Sequence, residues 1–237
     1  MRRRRPDGGQ SSTEFLVVFP LLVMLVFGVI QFALLYQARA TLNYAALLAA
    51  RAGAVHNGSA TSMRVALASG LAPLFASEPT MSDYTGAVLK ANLETAALSN
   101  LTKIDVLNPT AKALQDFARA RLDGSGRELP NDTLNYRNPT PGTKSALSVQ
   151  DANILHVRVS YCYRLIVPVV GRVMYAAVNA LTPFDAAVSA NGMSDPFGSS
   201  GTTVSLSCIN PAFRGPRIVI RSEAMVRMQS PFYESNL

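Results

Sequence analysis

From Phe15 to Tyr36 the chain reads FLVVFPLLVMLVFGVIQFALLY, 22 residues without a charge, in which Gln31 is the only side chain that strongly resists hydrocarbon. As an α-helix at about 1.5 Å per residue this stretch is roughly 33 Å long, enough for a hydrocarbon core of about 30 Å. The run begins behind Arg2, Arg3, Arg4 and Arg5. Basic residues before a span hold the N-terminus on the cytoplasmic side, which puts everything after Tyr36 across the bilayer. Two other readings fit the same residues. A secretory signal cleaved after Ala38-Arg39-Ala40 has small residues at its cut, but its apolar region exceeds the usual length of about 7–15 residues. A buried core helix would not need the arginine run. The length favours the span.

Charge is informative only once it is placed along the chain. Of 237 residues, 22 are basic and 15 acidic, for a formal net charge of +7. Four arginines and one aspartate fall within the first 13 residues, so residues 14–237 carry only +4. The excess therefore reads as a topology signal, and nucleic acid is not an expected partner. An apolar fraction of 49% with 16% charged residues excludes a wholly disordered chain. Two cysteines and two histidines exclude a disulfide-dense scaffold, and a multi-ligand zinc cluster is not expected.

The helical pattern continues past Tyr36. Residues 37–55 read QARATLNYAALLAARAGAV, rich in alanine and free of proline, with Gly53 as the first exit signal. Ala38, Ala45, Ala46, Ala49, Ala50 and Ala52 give this half a small-residue face. Such a face suits close packing against neighbouring helices, and it equally suits a place beneath the chain's own domain.

Glu14 stands at the edge of the apolar run, five residues after Gly9. Ser11-x-x-Glu14 has the spacing of a capping box, in which the carboxylate satisfies a free N–H of the first turn. The wider context gives a second reading. A basic leader ending at Gly9, four polar residues, Glu14-Phe15, and an apolar helix containing Pro20 and Gly28 together resemble the type IV prepilin-like substrates of prepilin peptidase. More narrowly, Glu14-Phe15, Pro20-Leu21-Leu22, Phe27-Gly28, Tyr36 and the Ala46–Arg51 stretch look like the N-terminal signature of the TadE/TadG-like family, pseudopilins of the tight-adherence (Flp) pilus. The resemblance spans about 45 residues and departs at Gln31, where relatives often carry a second acid.

This resemblance implies cleavage between Gly9 and Gln10 by prepilin peptidase. It implies docking through Glu14, with Phe15 and Pro20 beside it, against other pilins or pseudopilins and the inner-membrane assembly platform. A bacterial inner-membrane location with a periplasmic or exterior domain follows, as do roles in pilus assembly, priming, surface adhesion and biofilm formation. The alternative is a periplasmic enzyme or binding protein on a plain, uncleaved tether.

The expected fold class is α+β: a basic leader over residues 1–9, a transmembrane and pilin-like helix over 10–56, and a domain over 57–237 with helices packed on an antiparallel sheet. Helical spacing covers Ser62–Ala76, Tyr84–Ser99 and Thr110–Leu122, a short strand covers Leu101–Leu107, and residues 124–145 read as a long loop. Leu155 to Leu165 alternates with His156, Arg158, Ser160, Cys162 and Arg164, the pattern of a strand with one buried face. Arg217–Met228 repeats it. Arg158, Arg164, Arg217, Arg221 and Arg227 are then expected on a solvated sheet surface.

Cys162 falls on the polar side of its strand. In an oxidising compartment a Cys162–Cys208 bridge would stabilise by about 3–4 kcal/mol in the chain-entropy model; two unrelated buried thiols are the alternative. No nucleophile elbow, phosphate loop, dinucleotide fingerprint or metalloprotease motif is present. No cofactor and no catalytic residue is expected. His56 and His156 read as surface or interface residues, and Asp123-Gly-Ser-Gly makes a poor calcium loop because Arg127 stands where an oxygen ligand is wanted.

Overall fold

A computed structural model describes residues 10–97, 101–177 and 216–237, without the side chains of residues 10–13, 96 and 97. Its dominant element is α1, Gln10–Val55, one continuous helix of 46 residues. It is followed by α2 (Ala60–Leu71) and α3 (Met81–Asn92), then β1 (Thr102–Asn108), α4 (Ala111–Phe117), β2 (Arg119–Ala120) and β3 (Arg127–Leu129). The chain closes with α5 (Val149–Ala152), β4 (Ile154–Arg164), β5 (Arg217–Arg227) and β6 (Phe232–Tyr233). The class is α+β, a long apolar helix leading into a domain of helices and antiparallel sheets.

The main sheet has the order β1-β4-β5, with β4 central and both pairings antiparallel. Leu155, Val157 and Val159 on one face of β4 are fully buried, and they meet the second half of α1. Ala38, Leu42, Ala45, Ala46, Ala49 and Ala50 supply the helix side of that core, all with no exposed surface. The small-residue face thus lies beneath the chain's own domain. Its alanines let α2 approach so closely that a Cβ on Gly70 would come within 2.6 Å of the Ala45 Cα. A second small sheet, β2-β3-β6, sits at the domain's side, with Leu129 opposite Phe232.

The helix continues two residues past Gly53. Asn57 and Gly58 take left-handed backbone angles, φ 58° and 78°, and turn the chain. A side chain on Gly58 would strike the Phe232 ring, so glycine is required there twice over. The C-terminal segment fastens this end of α1: the Gln229 and Ser230 amides donate to the Ala54 carbonyl, and the Asn57 amide side chain donates to the Pro231 carbonyl at 2.8 Å. Helix-end carbonyls that would otherwise lack partners are satisfied in this way.

Three expectations from the sequence change. Helix α4 stops at Phe117 rather than near Leu122, because Arg119 and Ala120 pair with Glu128 and Arg127 of β3. That strand, and a short 3-10 turn at Leu134–Tyr136, lie within the stretch expected to be loop. The supposed polar face of β4 is largely covered: His156, Ser160 and Cys162 are buried, and so is Arg217 of β5. A central strand has neighbours on both edges, so its short polar side chains are walled in by longer ones from β1 and β5.

Candidate assembly helix and its surroundings

The first described residue, Gln10, is already helical, so Ser11 lies inside α1 rather than at its N-cap. Gly9 lies outside the described residues. Glu14 is exposed, and every residue from Glu14 to Ile30 is exposed except Val23 and Gly28, which are half-buried. Phe15 and Phe19 stack at 5.1 Å between ring centroids, one helical turn apart. Pro20 sits inside the helix and cannot donate to the Leu16 carbonyl four residues back, which leaves a point of reduced hydrogen bonding near the charged end. The helix from Glu14 is long and apolar enough to cross a membrane, with a mean hydropathy of 2.7 in its most apolar window, only 6% of which is buried.

Among the described residues, Gln31 is the first of α1 to be fully buried. This side chain, the one polar group of the run, is completely buried, and its Oε1 accepts the Val167 backbone N–H at 2.9 Å. Sequence spacing placed Gln31 in the apolar run but gave no sign that residues 165–171 would cover it.

Elsewhere the polar clusters are bonded within themselves. On the outer face of the sheet, Glu223 accepts from Arg158 Nε at 2.6 Å and lies 2.9 Å from His156 Nε2. Partial burial works to raise the Glu223 pKa, but the hydrogen bonds from Arg158 and His156 outweigh it and hold the carboxyl below its ordinary range. Arg158 is therefore engaged with Glu223, Arg217 is buried, and Arg164, Arg221 and Arg227 remain exposed. The five arginines do not form one solvated patch. Near the other end of the β4–β5 pair, Tyr161 donates to Glu94 Oε2 at 2.7 Å, and Arg217 Nη2 lies 3.6 Å from Glu94 Oε1. Burial, then the Glu94 charge, pushes the Tyr161 hydroxyl far above its ordinary pKa.

Asp123 has both carboxylate oxygens occupied, one by the Ser125 amide and hydroxyl and one by Arg121, while Arg127 donates to the Ala118 carbonyl. Among the described residues no group of three or more His, Cys, Asp or Glu side chains is arranged to hold a metal ion. His56 is exposed at the end of α1, with Nδ1 2.9 Å from the Ala52 carbonyl. One surface depression is lined by Asn131, Tyr136 and Arg227, another by Phe117, Arg137 and Asn138; neither gathers a nucleophile with a base. Cys162 is buried and disulfide-bonded. Cys208, the chain's other cysteine, lies outside the described residues.

Residues 9–51 match the family model described as TadE-like protein. No curated protein and no solved structure matches the chain.

Proposed function

We propose that this protein is a minor pseudopilin of a bacterial tight-adherence pilus, acting in pilus assembly. The match to the TadE-like family supports involvement in that process. One observation carries the reading: the matched segment is α1, and its N-terminal part stands clear of the domain with Glu14 at its charged end. An apolar helix displayed in this way is available both to lipid and to the helices of other subunits.

In this reading the N-terminus begins in the cytoplasm, held there by Arg2 to Arg5, and the domain faces the periplasm. Prepilin peptidase cuts after Gly9, removing all four arginines and freeing the Gln10 amine. On a neighbouring subunit that amine pairs with the Glu14 carboxylate at the hydrocarbon edge, where an unpaired charge is heavily penalised. The pairing sets the stagger between helices, and Pro20 lets the helix bend during packing or extraction. The subunit works with sister pilins and the inner-membrane assembly platform, primes or joins the fibre, and so contributes to surface adhesion and biofilm formation. It is not an enzyme and needs no cofactor. Cys162 pairs with Cys208 to close a long loop in the oxidising compartment; a non-reducing peptide map with either cysteine alkylated would rule this out.

N-terminal mass spectrometry of the membrane form tests the core of the proposal. Gln10 is the expected mature terminus, and its appearance should depend on prepilin peptidase. An intact Met1 or Arg2 terminus in cells with active peptidase would leave a plain tethered protein instead. Glu14→Ala should leave membrane insertion intact and abolish incorporation into the pilus.

A further inference from the structure

The segment that covers Gln31 has a composition unusual for an exported domain surface. Residues 164–173 read RLIVPVVGRV, and no acidic residue occurs between Ile154 and Ala177. Leu165 and Val170 turn inward and are buried, whereas Ile166 and Val169 are each 63% exposed and Val173 is 48% exposed. Val169 holds φ at 65°, a left-handed angle that a β-branched residue adopts only at a cost. Arg164 and Arg172 flank this apolar tip and are exposed.

Its height along α1 gives this tip a meaning. Among the described residues, α1 has no buried side chain from Phe15 to Ile30, 16 residues. At about 1.5 Å each these span roughly 24 Å, some 6 Å short of a hydrocarbon core of about 30 Å. Four more residues are needed, which takes the bilayer to about Leu34 and therefore past Gln31. At that level the domain's own segment is already docked on the helix, through the Val167 N–H bond to Gln31. Phe32 at 60% and Tyr36 at 78% exposure continue the apolar belt on the uncovered sides of α1.

We propose that residues 165–173 form a membrane foot, with Ile166, Val169 and Val173 inserted into the domain-side leaflet and Arg164 and Arg172 reaching lipid phosphates. The inference rests on α1 spanning the bilayer but not on the pilus assignment. The foot completes the apolar height that the bare helix lacks and shields Gln31, whose amide would otherwise face acyl chains. Apolar side chains enter the interface while flanking arginines extend to the headgroups. It also fixes the domain's tilt and distance relative to the membrane, because a helix joined to a surface at one point alone could rotate freely.

The chain contains no tryptophan, so one introduced tryptophan is a clean reporter. The full chain, placed in nanodiscs of phosphatidylethanolamine and phosphatidylglycerol, is compared with and without bromine on the acyl chains. Val169→Trp, and independently Ile166→Trp, should shift emission to the blue and lose most of it to bromines near the glycerol, with less lost to bromines near the chain end. Leu25→Trp should be quenched most by the deep bromines, and Tyr136→Trp, on a side chain 93% exposed, should be unaffected. If Leu25→Trp is quenched while both foot variants behave like Tyr136→Trp, the foot is wrong and the span stands. If Leu25→Trp is also unquenched, span and foot fall together.

Discussion

The two halves of α1 are equally helical and both apolar, yet the first is exposed along its length whereas the inward face of the second is buried against the chain's own domain. Between Phe15 and Ile30 the helix carries Phe, Leu, Val, Met and Ile, nearly all exposed, whereas between Ala38 and Ala54 its inward face is mostly alanine and fully buried. The difference lies in side-chain size. Lipid tails deform around large branched side chains and reward their area, whereas a neighbouring helix and a sheet reach their close-packed distance only over small ones. Hydropathy alone does not tell lipid from protein; hydropathy combined with volume does.

Substitutions at matched positions in the two halves should break this symmetry most visibly. Leu42→Ala, on a side chain with no exposed surface, should destabilise the domain by about 2–5 kcal/mol, whereas Leu25→Ala should leave domain stability within about 0.5 kcal/mol of the parent. Thermal unfolding of the full chain in a mild detergent, followed by circular dichroism, reads both. Equal losses would mean that the first half also packs on the domain. A somewhat smaller effect is expected from enlarging the buried half: Ala45→Leu, facing Gly70 of α2, should cost about 1–3 kcal/mol through overpacking. An unchanged melting temperature would show that the α1–α2 approach is looser than the 2.6 Å geometry at Gly70 requires.

The contrast between covered and open surfaces extends to the sheet, where the smallest effect is expected. Glu223 has its pKa depressed in the folded state, so its contribution is present above the ordinary glutamate range, near pH 4.3, and is lost as pH falls through the folded value. Its side chain is 42% exposed, so solvent screening keeps the contribution below about 1 kcal/mol. Glu223→Gln should lower the melting temperature slightly at pH 7, and the gap from the parent should close below about pH 4.3. A gap of constant size would remove the ion pair with Arg158 as its cause.

Much of the architecture was visible in residue order because local physics governs it. The long helix, its continuation past Tyr36, the helices α2 and α3, and the strands β1, β4 and β5 all announce themselves by period and by turn residues. The TadE-like likeness was legible for a related reason: it resides in a contiguous segment, and residues 9–51 match as a block. What escaped depended on distant partners. Residues 119–120 look like more of α4 until β3 returns to pair with them. His156 and Cys162 look solvent-facing until β4 takes the central position in its sheet. Gln31 looks like an isolated polar group until Val167, more than a hundred residues later, donates to it.

The sequence by itself determined the class of molecule: a single apolar run behind a block of arginines, then a helix of alanines, then alternating strands. Each of these is a short-range pattern, and period and size decide it before any long-range contact forms. Only the tertiary structure decided which alanines meet the chain's own sheet, where the domain begins on the helix, and what covers Gln31. Those choices depend on β4 and β5 folding back against a helix more than a hundred residues earlier in the chain, and no local period records that return.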